Sequence, residues 1–349
     1  MFCRGFVAAL LVLGTASLAS ADDTVLFRDR TAKPEKIGTL VGKITTETIN
    51  GVKLKPTVGA ERDIAAADIV DIVYEVPGAV KLTLGGAIKL EQQRGSGDAG
   101  RKALQDAVND YQAVLKGLNE KFANAARHIQ FKILNIQAIL TTDKLQQLQL
   151  ADEFDKFRKA NANAWQLLPA VRQQAQLLIA CDKFDDAARI YDETAKNPNL
   201  SKERLQEVEL LAVDALMRAE KYTEAEKRID TAGRTLPPDH PQAVRLKIYQ
   251  VGCQAKKADM AKVEPMLRDI VEKNADPNLR ALAYNTLGDC FFATGQKKDA
   301  QWAYLMVDVV YFQDRGEHLK ALERLVKVFK DLNDEEYAKK YEEKLARIR

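Results

Sequence analysis

Between residues 284 and 304 apolar positions recur with a helical period, stop, and resume. Tyr284, Leu287, Gly288 and Phe291 follow one another at steps of three, one and three, which places them on one helix face. Gly295 interrupts the run, and Ala300 and Tyr304 open a second helix. The pattern predicts two antiparallel helices joined by a tight turn. Helices pack with axes about 8–10 Å apart, and the closest approach needs small side chains. Gly288 and Ala300 are placed to supply it, with Tyr284, Leu287, Phe291 and Tyr304 filling the volume around them.

The same punctuation returns along the chain. Ala187, Ala225, Val263, Ala300 and Ala338 follow one another at steps of 37 or 38 residues, each near the start of an expected second helix. Leu178, Phe184 and Tyr191 surround Ala187; Leu216, Tyr222, Ala232 and Pro237 accompany Ala225; Leu325, Val326 and Phe329 precede Ala338. The unit around Val263 lacks the Leu-Gly pair and is the poorest match. Upstream, Phe122, Ala126, Ile129, Ile133, Ile136 and Leu140 mark one buried helical face, with Leu148, Ala151, Phe154 and Phe157 on a partner helix. Ala107, Tyr111 and Val114 suggest the second helix of a further, degenerate unit, so about seven hairpins are expected in all.

The order aromatic, Leu-Gly, aromatic, Ala, aromatic in residues 284–304 resembles the tetratricopeptide repeat (TPR) family. The resemblance implies a mainly α fold, with residues 99–349 a TPR-like α-solenoid of stacked helical hairpins. Family repeats run to about 34 residues, so these units carry longer helices or loops. The resemblance also implies a concave groove lined by the first helix of each pair and holding a protein or peptide partner. Carried over unit by unit, the groove positions are Arg172 and Gln176, Asp214 and Arg218, Arg245 and Lys256, and Asn285 and Asp289. Their signs are mixed and do not form the Lys/Asn/Arg carboxylate clamp of chaperone-binding TPRs. Such a groove suits an extended peptide held by hydrogen bonds and a few pockets.

Turn residues fit these boundaries. Asp276-Pro277 puts a capping side chain before a proline suited to the first helical turn. Asn197-Pro198, Pro237-Pro238 and Pro241 fall between expected helices, where a missing N–H is harmless. The last segment, 333–349, is highly charged, with Glu335/Lys339 and Glu336/Lys340 spaced for helical pairing. A polar face there suits a terminal cap. The block from Ala303 to Tyr311 is denser in apolar residues than a two-sided repeat needs, and is expected to dock the last hairpin or form an oligomer contact.

The amino-terminal part has another texture. Residues 1–21 read as a secretory signal peptide: Arg4, then an apolar core from Phe6 to Leu13, then Ala19-Ser20-Ala21 before the cut. The expected location is therefore periplasmic or extracellular. That core is far shorter than the roughly 20 residues of a membrane span. Residues 22–78 carry β-branched runs at Val25 to Phe27, Leu40 to Thr48, Val52 to Lys55 and Ile69 to Tyr74, with Asn50-Gly51 as a hairpin signal. The layout is similar to a small SH3-like β-barrel. Ile69, Ile72 and Tyr74 do not alternate cleanly, which suggests a bulge. Residues 79–98 read as a linker or transition, the first hairpin beginning near Leu84. Phe27 and Tyr74 are the only aromatics of the module, too few for an aromatic peptide groove, but cell-wall contact through residues 22–78 stays open.

Composition narrows the chemistry. With 53 basic and 50 acidic residues the formal charge is +3, or +2 once Arg4 is removed with the signal. No basic run with interleaved aromatics points to nucleic acid. Cys181, Cys253 and Cys290 are too few and too scattered for a disulfide framework and read as buried filler, although a Cys253–Cys290 bridge is conceivable. Residues 95–100 spell G-x-G-x-x-G, yet no second strand follows to build a dinucleotide site, so they read as a linker in which Ser96 or Asp98 caps the next helix. His128, His240 and His318 stand apart from metal-ligand spacing. No catalytic residue, cofactor or metal is expected. The layout of the whole chain is similar to exported bacterial TPR proteins. It suggests a non-catalytic scaffold of the cell envelope or, alternatively, an accessory to an envelope enzyme whose β-module binds glycan.

Overall fold

Val25, Val52, Leu54, Ile64 and Ile72 are the buried side of a five-stranded antiparallel sheet. The structure, a computed structural model, describes residues 22–30, 36–93, 97–233 and 241–348. The strands are β1 (Asp23–Asp29), β2 (Lys36–Thr48), β3 (Gly51–Pro56), β4 (Arg62–Ala65) and β5 (Ile69–Val73), ordered β4-β3-β2-β1-β5. Fourteen α-helices follow among the described residues: α1 (Gly78–Gln92), α2 (Asp98–Lys116), α3 (Ala123–Leu140), α4 (Lys144–Ala160), α5 (Leu167–Ala180), α6 (Phe184–Ala195), α7 (Lys202–Arg218), α8 (Tyr222–Gly233), α9 (Pro241–Cys253), α10 (Met260–Lys273), α11 (Pro277–Ala293), α12 (Lys297–Val309), α13 (Arg315–Asp331) and α14 (Glu335–Ile348). Residues 1–21, expected to be a signal peptide, and Gly95, Ser96, Pro237, Pro238 and His240 lie outside the described residues. None of these helices is long and apolar enough to cross a membrane. The chain divides into two compact units at residue 215/216, within α7.

In the first unit the strand ladder slips twice. Thr45 drops out of the β2–β3 pairing, and Val70 bulges from β5 opposite Leu26 and Phe27. The second bulge accounts for the irregular alternation of Ile69, Ile72 and Tyr74. The β2–β3 turn is Ile49-Asn50, one place earlier than the sequence suggests, because Thr48 pairs with Gly51. Gly51 has φ 150° and leaves no room for a β-carbon beside the Ile64 carbonyl. Asn50 instead fixes the segment before α7: its Nδ2 donates to the Asn199 carbonyl at 2.8 Å, and its Oδ1 accepts from the Ser201 N–H at 2.9 Å.

The sheet does not keep a core of its own. Val25, Leu54, Ile72 and Tyr74 belong to one cluster with Leu84 and Ala87 of α1, Leu104, Ala107 and Tyr111 of α2, Ile129 and Ile133 of α3, and Trp165. The stretch 79–98, expected as a transition, is mostly α1, which packs along α2. Gly85-Gly86 hid that helix, although Leu84, Ala87 and Ile88 recur at helical steps and pack inward. Asp98 is the first residue of α2 and makes no capping bond. α3 is buried on two sides: Ile129, Ile133 and Ile136 face the sheet cluster, while Phe131 and Leu134 join Phe154 and Phe157 of α4 and Ala170 of α5.

In the second unit α11 packs against both α9 and α13, with α12 against α11 and α13. Leu267, Leu282, Leu287, Tyr304, Leu322 and Leu325 are fully buried there. Within the 303–311 block, Ala303, Tyr304 and Val307 point inward, while Val309 and Val310 are exposed. Neither Glu335/Lys339 nor Glu336/Lys340 closes an ion pair among the described residues; Lys330 of α13 meets Glu342 of α14 at 2.6 Å. Asp276 caps α11 as expected, accepting from the Asn278 N–H at 2.9 Å.

One local motif recurs in both units. Ala187, Ala225, Val263, Ala300 and Ala338 are each the fourth residue of their helix, α6, α8, α10, α12 and α14. The four alanines are buried completely or nearly so, and Val263 is half-buried. Two residues before four of these helices stands a left-handed residue: Asp182, Glu220, Gly295 and Asn333, with φ 61°, 57°, 84° and 59°. Each closes the preceding helix with the same pair of bonds, such as Lys183 N–H to Leu178 O and Asp182 N–H to Ile179 O. That is the Schellman ending, which satisfies carbonyls a helix end would otherwise orphan. The fifth turn departs from it. A 3-10 turn over Ala255–Lys257 precedes α10, Ala258 keeps a negative φ, and Pro265 withdraws one backbone bond inside that helix.

Candidate functional site

The eight residues expected to line a groove divide between the two units and serve different ends. In the first unit Arg172 and Gln176 lie one turn apart on α5, both exposed, and Asp214 is half-buried on α7. Arg172 pairs with Glu207 of α7, which also receives Nη1 of Arg204 at 2.8 Å. Two guanidinium groups thus share one carboxylate. Arg204 is buried, and neither its Nε nor its Nη2 has a hydrogen-bond partner. Burial, with Arg172 as a like charge beside it, lowers the Arg204 pKa to about 10.

In the second unit Arg218, Asn285 and Asp289 come together; Arg245 is on α9 and Lys256 in the 3-10 turn. Asn285 is fully buried, and its Nδ2 donates to the backbone carbonyl of Glu317 at 2.9 Å and to its carboxylate at 2.7 Å. Arg218 approaches the same carboxylate at 3.8 Å. One turn along α11, Asp289 accepts from the Tyr304 hydroxyl at 2.7 Å and pairs with Lys320 at 3.0 Å and Arg324 at 3.3 Å. Arg324 also reaches Glu220, the left-handed residue after α7, at 3.2 Å. Burial alone would raise the Asp289 pKa, but Lys320 and Arg324 outweigh it and hold the carboxyl below its ordinary range. Asn285 and Asp289 are therefore engaged within the chain, as a bridge from α11 to α13.

Sequence reasoning passed over Glu317, Lys320 and Arg324. Their spacing puts all three on one face of α13, bordering the buried Ala321 and Leu325, and a charged stripe next to an apolar one was the available signal.

It also passed over a second buried network, in the first unit. Asp71 of β5 takes His128 Nε2 at 2.8 Å on one oxygen and Lys132 Nζ at 2.8 Å on the other. Lys132 reaches Glu91 of α1 at 2.9 Å, and Glu91 accepts from the Tyr111 hydroxyl at 2.6 Å. Alongside, Glu47 of β2 accepts from the Tyr74 hydroxyl at 2.9 Å and pairs with Arg127, while Trp165 Nε1 donates to the Tyr74 oxygen at 3.1 Å. The His128 ring lies between Tyr74 and Trp165, with centroids 5.5 and 5.6 Å away. Burial would raise the Asp71 pKa, yet Lys132 and His128 together bring it far below the carboxylate range. Burial first, then the neighbouring carboxylates, push both tyrosine hydroxyls well up. The cavity beside His128 measures about 10 Å³, room for no more than one water. These ion pairs and hydrogen bonds pin the sheet to α1 and α3.

The remaining candidates are dispersed. His318 meets Asp308 at 2.7 Å, and Lys344 shares that carboxylate at 2.6 Å. The three cysteines described are free thiols, which leaves no Cys253–Cys290 bridge. Among the described residues no three His, Cys, Asp or Glu side chains are grouped so as to hold a metal ion.

No family model matches the chain, and no curated protein matches it. Among solved structures the chain is similar to the crystal structure of BtubC (BKLC) from P. vanneervenii. The identity is 15% over 60% of this chain and 91% of that one, with a TM-score of 0.35.

Proposed function

We propose that this chain is a TPR-like scaffold of the cell envelope that holds a polypeptide partner and carries out no chemistry of its own. The observation that supports it is the recurring joint: a Schellman turn on a left-handed residue, then a fully buried alanine at the fourth place of the next helix, found at Ala187, Ala225, Ala300 and Ala338, with Val263 at the intervening place of a 37- or 38-residue step. Such periodicity suits a row of like hairpins, each covering the apolar side of the next, and rows of this kind present extended binding surfaces. The five-stranded sheet, with the strand order found here, is an SH3-like module whose inner side is closed by α1–α3. The signal peptide would deliver the chain to the envelope, its mature form beginning at Asp22.

Site-specific photo-crosslinking in intact cells tests this reading. A photoreactive residue at Gln176 or Lys256, both exposed groove positions, should give discrete protein adducts. The same residue at Lys298, exposed on a second helix, should give few. Equal labelling at all three positions, or none at any, would remove the scaffold reading. Amino-terminal sequencing of the exported protein checks the cut before Asp22.

A further inference from the structure

We propose that Arg172 and Arg204 form a recognition site for an acidic side chain on the partner. The inference rests on the scaffold reading and names what one part of the surface selects. Arg172 and Arg204 face a single carboxylate, Glu207, and the charge of Arg28 on β1 is also felt at Arg172. No second carboxylate meets Arg172 or Arg204 among the described residues. Buried guanidinium groups are ordinarily matched by anions or by carbonyl acceptors, because leaving their N–H groups unpaired is costly. Arg204 breaks that rule twice, at Nε and Nη2, while only 7% of the residue is exposed.

Arg172 supplies the way in. Its side chain is 45% exposed, so it can meet a carboxylate from solvent while Glu207 holds its inner side. A second carboxylate would balance the pair of cations, and the planar fork of arginine suits its two oxygens. Lone acids in solution should bind weakly. An acidic residue within a longer partner segment should bind far better, because the rest of the segment restrains it. Gln176, one turn further along α5 on the same face, lies where the partner chain would pass. The other candidate arginine network, at Arg218 and Arg324, has its carboxylates already in place and carries no such vacancy of charge.

Two measurements on the mature chain, residues 22–349, test the proposal. The arginine Nε–H resonances are followed by NMR while N-acetyl-glutamate amide is added at constant ionic strength. A saturable shift of Arg204 is expected, absent with N-acetyl-glutamine amide and absent in Arg172→Gln. An equal response to sodium chloride, or one that survives Arg172→Gln, overturns the site. In cells, Arg172→Glu should cut the adducts formed at Gln176 by about tenfold, leave those at Lys256 unchanged, and spare Arg172→Lys most of that loss. The cut adducts should map to partner segments containing Asp or Glu. Adducts at Gln176 that persist in Arg172→Glu, or that map to segments without an acidic residue, overturn the acidic partner and leave the scaffold reading standing. Absence of adducts at every position tells against the scaffold itself. Matching thermal melts of the variants separate loss of recognition from loss of folding.

Discussion

The ring of Tyr304 occupies the space that a side chain on Gly288 would need. A β-carbon there would stand 2.5 Å from Tyr304 Cε1 and 2.8 Å from two more ring atoms. The ring cannot retreat easily, since Tyr304 is fully buried and its hydroxyl is held by Asp289 at 2.7 Å. Gly288→Ala should therefore cost about 1–3 kcal/mol of stability despite the better helix propensity of alanine. Gly85→Ala, with open space around its α-carbon in α1, should gain up to about 1 kcal/mol. Urea unfolding of both variants checks the contrast. Equal effects would show that the Tyr304 contact is not tight.

The left-handed turn residues give a second test. Only glycine adopts such a φ without steric cost, yet Asp182 stands there at φ 61°. Its ion pair with Lys144 is exposed on both sides and is worth little. Asp182→Gly should stabilise the chain by roughly 0.5–1 kcal/mol. Gly295→Ala should do the reverse by a similar amount, since Gly295 holds φ 84° in the equivalent turn. Midpoints of thermal unfolding read both changes. A neutral Asp182→Gly would show that the aspartate relieves its own strain.

These two joints mark how far the sequence could be read. Ala187, Ala225, Ala300 and Ala338 were visible as a period because small residues must recur wherever helices cross closely. Strands were visible for a similar reason, through β-branched runs with the Val70 bulge as a break in alternation. The start of α1 was obscured by Gly85-Gly86, whose low propensity is offset by packing on α2, so that only Leu84, Ala87 and Ile88 hinted at the helix. The two ion networks were hidden more deeply. Asp71 and His128 are 57 positions apart and Asn285 and Glu317 are 32 apart, so only the tertiary fold places them together. Arg172 was legible as a surface cation from its position on α5; the unmatched charge beside it was not, because Arg204 looks from sequence like any solvated helix residue.

The cysteines should behave as inert packing. Burial pushes the Cys253 thiol up to about 11 and Cys290 up to about 12, so neither carries an appreciable thiolate fraction near neutrality. The folded protein should react slowly with a thiol reagent at these two sites and quickly once unfolded in urea. Reducing agent should leave the melting temperature unchanged, because no disulfide joins the described cysteines. A melting point that falls on reduction would mean that the protein forms a bridge absent from this fold.

The Asp71 network predicts a specific response to acid. Its carboxyl is held well below the usual carboxylate value of about 3.9, by Lys132 and His128 acting against burial. A group whose pKa falls on folding stabilises the native state at every pH above the unfolded value, and that contribution drains away as pH drops toward the folded value. Asp71→Asn removes the charge but keeps the shape, leaving Glu91 as the one carboxylate on Lys132 and a single neutral oxygen at residue 71 where His128 and Lys132 now each meet a charged one. At neutral pH the variant should be less stable by about 3 kcal/mol, the low end for breaking a buried pair, because Glu91 still serves Lys132. The deficit should be undiminished at about pH 5 and should narrow only below about pH 4. Denaturant unfolding across that range measures it. A gap that has already closed by about pH 5 would mean that the carboxyl titrates normally and that Lys132 and His128 do not hold it charged.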